Sequence, residues 1–378
     1  MPKFVVLDSS TLGKISADYW SEDEKLRDKS RRFLRSLASH GFQITFAYSH
    51  LCELLRHENE QIVRSRMKFL RSLPLIAWVR PYDRNWFPGA PVDLLRRELH
   101  AVVHEGARTW PEIVEAVRAD LFETGTGEDL FVDNDAFWDV LRRDFRSQLD
   151  HERYIASIAR TTPGYLHDLK LCEMERLPMR LKSERAAFMR WFVNDLQTQL
   201  ERHADKRVTE HRLMASHFAE NTIRQVETFE AAGGDPIQQM LKDYGVPTEL
   251  LRPEMTIGEL GELAVYIKQL QLISEDLRPS VQVTVRDVPP ETLPSYEVQH
   301  RLSRLQKLAP RVSGSDHGDG YLAMLVLYAD AVEVDKRTFE YLQQVLRGNS
   351  GMKSLVGQLY RASDYSNLES QFGLAGQC

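Results

Sequence analysis

The stretch Phe4-Val5-Val6-Leu7-Asp8-Ser9-Ser10-Thr11 decides how the rest of the chain is read. A continuous apolar run, two of its residues β-branched, stops abruptly at an acid, as does a strand buried on both faces of a parallel sheet. A turn rich in Ser and Thr follows it. Further along, Ser21 and Glu24 have the spacing of a capping box, Leu26, Phe33, Leu34 and Leu37 supply the apolar face of a helix, and Gly41 is placed to close it. Residues 42–47 predict a second strand, Ser49 a helix cap, 50–72 helix with a break near His57, and 75–79 a third strand ending before Pro81. Strands alternating with helices at this rhythm predict a parallel α/β sheet.

After about residue 95 the rhythm changes, and helical patterns with no convincing strand run to about residue 277. The segment from Ser183 to Ala232 contains no Gly or Pro and is stopped by Gly233-Gly234, which predicts one long helix or two joined end to end. Thr256 and Glu259 form another capping box. Residues 279–294 set several prolines around Val281, Val283 and Val285 and read as the return crossing. From Ser295 the α/β rhythm resumes with a helix over 295–308 and a glycine-rich turn from Ser313 to Gly320. The apolar helix Tyr321 to Tyr328 and the strand Ala331 to Val334, ending at Asp335, complete it. The expected fold class is therefore α/β: a parallel-sheet domain built from residues 1–95 and 295–378, interrupted by an all-α insertion over 96–294 that is large enough to own a core.

Composition narrows the function classes. The 378 residues give room for about two domains, and 42% apolar with 28% charged residues excludes a disordered chain. Lys plus Arg number 49 against 55 Asp plus Glu, a formal net charge of −6, so no global basic field recruits nucleic acid. A basic rim around an acidic pocket is compatible with that balance. Cys52, Cys172 and Cys378 stand far apart with no CxxC pair, which argues against zinc or redox motifs and makes a reducing cytoplasm the expected compartment. The apolar run before Asp8 is too short for a signal-peptide core, and no run approaches the 20 or so apolar residues of a membrane span, so no membrane partner is expected.

Chemistry is concentrated in the acids. Asp8 and Asp335 directly follow apolar strands, Glu53 lies on the helix after the second strand, and Asp319 sits in the first turn of the next helix with Asp316 as its competitor one turn earlier. Open parallel sheets bind ligands outside the carboxyl ends of their strands. Four carboxylates meeting at such an edge repel one another unless cations neutralise them, and hard oxygen ligands suit Mg²⁺ or Mn²⁺. Each acid also has an ordinary reading: Asp8 or Asp319 as a helix cap, Glu53 as a solvated helix residue, Asp335 in a surface ion-pair network with Lys336 and Arg337. Ser10 and Thr338 are hydroxyls beside two of the acids, placed for turn chemistry or for holding a phosphate or water. Cations near the acids are Arg56 and His57, then Arg64, Arg66, Lys68 and Arg71, and Lys336 with Arg337. In the insertion Arg180, Lys182, Arg185 and Arg190 flank Trp191, a pattern that serves single-stranded nucleic acid or simply a solvated helix face. His100 with His104, and His203, His211 and His217, lack the Glu of an HExxH zinc motif. Gly125-Thr126-Gly127-Glu128 lacks the Lys-Ser/Thr of a phosphate-binding loop.

The strings VLDSSTL at 6–12, SHLCELLRH at 49–57 and GSDHGDGYLAMLVLYADAVEVDKRT at 314–338 resemble the PIN domain nuclease family. That resemblance covers the first 95 residues and the last 85 or so, and the C-terminal string is its most specific part. It implies a central parallel sheet flanked by helices and an acidic pocket that binds divalent metal and cleaves RNA or, in some branches, DNA flaps. Carried over by position, the four acids fall on Asp8, Glu53, Asp319 and Asp335, with Asp316 as the other fit for the third. The implied activity is a metal-dependent endoribonuclease using Mg²⁺ or Mn²⁺ and a metal-activated water, with 5′-phosphate and 3′-hydroxyl products. Asp8, Glu53, Asp316, Asp319 and Asp335 would be its metal ligands, and Arg56, Lys336 and Arg337 would contact RNA. Two alternatives stand beside it: a nuclease for single-stranded or flapped DNA, and a catalytically inactive PIN-like scaffold. In the second, a protein partner or a second copy would dock on the helical insertion. Small PIN toxins carry no insertion of this size, so a toxin assignment does not transfer automatically.

Overall fold

The structure, a computed structural model, describes residues 2–82, 88–131, 134–159, 167–176, 182–204, 207–231, 245–275, 277, 283–307, 316–361 and 364–372. The chain forms two compact units, an α/β unit of residues 1–148, 289–306 and 315–378 and a helical unit of residues 149–288 and 307–314.

The α/β unit is organised by one sheet. Its strands are β1 (Lys3–Val6), β2 (Phe42–Phe46), β3 (Ile76–Val79), β4 (Phe122–Gly125), β5 (Ala331–Val334) and β6 (Gln358–Arg361). They lie in the order β4-β3-β2-β1-β5-β6. All neighbours are parallel except β3 and β4. The chain thus starts in the middle of the sheet, with β2 on one side (Val5↔Ile44) and β5 on the other (Val6↔Val332). Val5, Val6 and Leu7 are wholly buried, which is why this run reads as continuously apolar.

The helices that position the site follow the strands directly: α1 (Ser9–Tyr19) and α2 (Glu24–Ser39) after β1, α3 (Tyr48–Leu55) and α4 (Glu60–Arg71) after β2. Gly41, at φ +78°, makes the left-handed turn that releases α2 into β2. Two expected caps move. Asp23, not a Ser21–Glu24 box, caps α2 by accepting from Lys25 N at 2.8 Å. Ala47, not Ser49, is the N-cap of α3, where the His50 ring accepts from Ala47 N at 2.9 Å. The break near His57 is real, with Asn59 capping α4.

The expected domain boundary at residue 95 falls inside α5 (Pro91–Val103), which together with α6 (Trp110–Arg118), β4 and α7 (Gly127–Leu130) belongs to the α/β unit. The unit extends to Gln148 within α8 (Asp135–Ala159), whose Trp138 and Phe145 pack into a core with Phe46, Met67, Leu70 and Phe131. β4 is a strand where none was expected. Its FETG sequence carries no apolar alternation, and it is made by antiparallel pairing with β3, from Val79↔Phe122 to Ile76↔Gly125.

In the helical unit, α9 (Lys182–His203) and α10 (His211–Ala231) replace the long 183–232 helix. Met189, Phe192, Leu196 and Leu200 of α9 meet Met214, Ala215 and Ala219 of α10, so the two fold back on each other instead of running end to end. The Thr256–Glu259 capping box opens α11 (Ile257–Ser274) as expected, with Thr256 N to Glu259 Oε2 at 2.9 Å and Glu259 N to Thr256 Oγ1 at 3.1 Å. Leu260, Ala264 and Ile267 of α11 form a second small core with Val246 and Met255. Around residues 283–287 Thr284 and Asp287 close a turn, so Val283 and Val285 are not strand positions, and Val281 lies outside the described residues.

Back in the α/β unit come α12 (Pro294–Lys307), α13 (Asp316–Met324) and, after β5, α14 (Lys336–Arg347), α15 (Ser350–Lys353) and, after β6, α16 (Tyr365–Gln371). Tyr321 to Ala329 are all buried, the property of an element enclosed on every side. Among the described residues no helix is long and apolar enough to cross a membrane.

Candidate functional site

Strand register brings the first two acids together. Val6 pairs with Val332, so Asp8 and Asp335 lie just past the ends of adjacent parallel strands, each at the N-cap of the helix that follows. Asp8 accepts from Ser10 N at 2.8 Å and from the Ser10 hydroxyl. Asp335 accepts from Arg337 N at 2.6 Å, Thr338 N at 3.1 Å and Thr338 Oγ1 at 2.7 Å. Ser10 and Thr338 therefore act on the acids themselves. At Asp335 the cap bonds stabilise the carboxylate form.

Asp319 comes from the first turn of α13, on the chain leading into β5, and is 6% exposed. It is hydrogen-bonded to Asp335, and its field includes Glu53 and Asp8. Burial first, then the charges of Asp335 and Glu53, push its carboxyl up to about 9, so it is protonated at neutral pH. Asp335 responds in the opposite sense. Burial alone would raise it, but the bonds from Thr338, Asp319 and Arg337 hold it below the ordinary carboxylate range. The hydrogen bond between them thus favours the protonated form of Asp319 and the charged form of Asp335. Glu53, the fourth acid, is on α3 with Arg56 at 3.6 Å. The Glu53 carboxylate lies against the backbone of α13, where a Cβ built on Gly318 would come within 2.5 Å of Glu53 Oε1.

All four sequence-predicted acids thus fall in one neighbourhood. The Asp316 backbone heads α13, while its side chain lies outside the described residues. Lys336 is exposed at the first position of α14, and Arg337 is half-buried beside it. The basic residues of α4 are committed elsewhere: Arg64 to Glu60 at 2.7 Å, Arg66 to the Leu54 carbonyl at 2.9 Å, Lys68 over the Trp20 ring at 4.5 Å, Arg71 to Asp135 at 3.4 Å. In the helical unit Trp191 is 43% exposed, and Arg180 with the Lys182 side chain lies outside the described residues. The His100 and His104 rings lie with centroids 4.7 Å apart, tilted at 54°, with Glu105 3.3 Å from His100.

Among the described residues no three of His, Cys, Asp or Glu have donor atoms closed around one point. In the acidic cluster the reason is visible: Asp8 and Asp335 are turned onto helix N–H groups, and Asp319 onto Asp335.

Two buried residues escaped the sequence reading. Glu333, in the middle of β5, is wholly buried; its Oε2 accepts from Asp8 N at 3.2 Å and its Oε1 from Thr11 Oγ1 at 2.9 Å. Burial pushes it up to about 7. His50 is also wholly buried, and burial lowers its pKa, so the ring is neutral. The signal for Glu333 was present: a lone acid inside an otherwise apolar central strand has no route to solvent.

Compared with known proteins, the chain matches no family model, no curated protein and no solved structure.

Proposed function

We propose that the chain is a metal-dependent endoribonuclease with a PIN-like catalytic unit, hydrolysing phosphodiester bonds at the carboxyl ends of β1 and β5. One observation carries this reading: Asp319, buried on α13, is hydrogen-bonded to Asp335 and feels the charges of Glu53 and Asp8, so that acids from four separate segments gather in one place. Buried carboxylates at that density are costly, and a cation relieves the cost. The all-oxygen donor set of Asp8, Glu53, Asp319 and Asp335 fits Mg²⁺ or Mn²⁺ in chemistry, and the other three are all near enough to act on Asp319. The resemblance of the three sequence strings to PIN nucleases supports the same assignment.

Asp8 and Asp335 are the residues that would hold a divalent cation, with Asp319 joining them once its proton is released. What the bound ion supplies there is positive charge for the phosphodiester oxygens and a coordinated water of lowered pKa. Glu53 is placed to take up a proton from such a water or to complete the ligand set. Arg56 beside Glu53, and Lys336 with Arg337 beside Asp335, supply cationic charge on both sides of the cluster for the substrate phosphates.

The test is cleavage of a mixed pool of structured RNAs and single-stranded and flapped DNAs with Mn²⁺ or Mg²⁺, using wild type, Asp8→Asn and a chelator control. RNA cutting that requires both metal and Asp8 is expected. Cutting confined to DNA would replace the substrate class. No metal-dependent cutting by folded protein would remove the enzyme reading.

A further inference from the structure

The peptide group that joins Leu7 to Asp8 is gripped at both of its polar atoms. Its carbonyl accepts from His50 Nε2 at 2.8 Å, and its N–H donates to Glu333 Oε2 at 3.2 Å. Both side chains are wholly buried. The His50 ring is oriented from its other nitrogen, since Nδ1 accepts from Ala47 N at 2.9 Å and the proton must therefore sit on Nε2. Glu333 is oriented from its other oxygen by the Thr11 hydroxyl, in the first turn of α1.

The location explains why such groups are needed. The last ladder pairs of β1 are Val5↔Ile44 on one side and Val6↔Val332 on the other, so the Leu7–Asp8 peptide lies beyond the sheet's own hydrogen bonds. Two side chains replace the missing strands, one from α3 immediately after β2 and one from β5 itself. A buried peptide group must find partners, but water or a backbone turn could supply them at lower cost than an imidazole and a carboxyl taken out of solvent. The arrangement fixes position as well as satisfying polar atoms, because each gripping group comes from a different neighbour of β1.

We propose that His50 and Glu333 are positioning residues that clamp the Leu7–Asp8 peptide and thereby hold the Asp8 carboxylate in register with Glu53 on one side and Asp335 on the other. The functional half of this statement rests on the nuclease reading above; the structural half does not. Neither side chain touches substrate. Their action is through the backbone of Asp8.

The experiment compares the wild-type chain, Glu333→Leu, Glu333→Gln, His50→Phe and Asp8→Asn by amide hydrogen exchange at Asp8, Mn²⁺ titration calorimetry and steady-state cleavage. Loss of a residue that orients a metal ligand typically costs about 10–100-fold in metal affinity or activity. Glu333→Leu and His50→Phe are expected to speed exchange at the Asp8 amide or its neighbours, weaken Mn²⁺ binding by about that factor, and lower kcat with KM unchanged. Glu333→Gln, which keeps an oxygen for the Asp8 N–H, is expected to restore all three. Thr11→Val, which unhooks only Oε1 of Glu333, gives the same pattern at smaller amplitude and serves if Glu333→Leu does not fold. Unchanged Asp8 exchange in folded Glu333→Leu overturns the clamp. Unchanged Mn²⁺ affinity in that variant, where Asp8→Asn has lost it, overturns the positioning role while the nuclease reading stands. Absence of Mn²⁺ binding in wild type, with exchange still responding to Glu333→Leu, overturns the functional half together with the nuclease reading and leaves the clamp.

Discussion

The two units differ most in what they bury. Among the described residues every buried carboxyl and imidazole belongs to the α/β unit: Asp8, Asp18, His50, Asp93, Glu98, Glu297, Asp319 and Glu333. Among its described residues the helical unit buries no charged side chain and, from the hydroxyl class, Ser157, Ser274 and Tyr266, and its cores are Met, Phe, Leu, Ala, Val and Ile. Apolar packing alone is the inexpensive way to stabilise helices, and the helical unit uses it. Ionisable groups taken out of water lower stability unless they are paired, so their concentration in one unit marks where position and charge matter more than stability. Some are plainly structural. Glu98 joins α5 to α12 and to Tyr328 by accepting from Ser295 N at 3.0 Å and from the Tyr328 hydroxyl, remote in sequence from the four acids. The acids at the strand ends are different, because beside their fixed donors they act on a further buried acid, Asp319.

The largest effect that would break this contrast is in the acidic cluster. Asp335→Asn is expected to lower metal-dependent cleavage by at least about 100-fold, read in single-turnover assays. Melting should be unchanged or higher, because Asn caps α14 as well as Asp does and a carboxylate charge is removed from the acidic cluster. A variant that is equally active would dissolve the special status of the strand ends. Next in size, Leu196→Ala in the α9–α10 core should cost about 2–5 kcal/mol of helical-unit stability, seen as faster amide exchange in those helices, with Mn²⁺ affinity unchanged.

The pH dependence sharpens the contrast further. Burial pushes Glu98 from the ordinary 4.5 up to about 7, so its contribution to folding is fully present below about 4.5 and is lost as pH rises through about 7. The shift corresponds to a loss on the order of 3 kcal/mol. Asp319, with its pKa up at about 9, extends the decline to that pH. Melting of the α/β unit should therefore fall between pH 5 and 9, and Glu98→Gln should flatten the first part of the slope, whereas exchange in α9 and α10 should show no matching trend. The smallest effect is at the rim: Lys336→Ala should raise KM about threefold with kcat held, and reduce the salt dependence of RNA binding by about one ion.

What the sequence made legible follows the same division. β1 and β3 were visible as short apolar runs, and β2 and β5 as strand-length runs broken only by Gln43, Thr45 and Glu333, and Asp8 and Asp335 were visible because each follows such a run. The acid inside the β5 run, Glu333, was passed over as part of the strand, and His50 was hidden because its capping role depends on the turn after β2. β4 has no pattern of its own and exists through its partner β3, which is why the boundary at residue 95 came too early. The fold-back between α9 and α10 is set by Phe192 and Leu196 meeting Met214 and Ala215, a long-range choice that a stretch without Gly or Pro does not announce. Local rules located the acids, while tertiary packing decided what supports them.

The most direct measurement is Mn²⁺ titration calorimetry at pH 7 in two buffers of different ionisation enthalpy, on wild type, Asp8→Asn and Asp335→Asn. The acidic-cluster account predicts saturable binding by wild type with about one proton released per ion, that of Asp319, and loss of binding in both variants. No saturable binding by folded wild type, or binding that survives both substitutions, would contradict it.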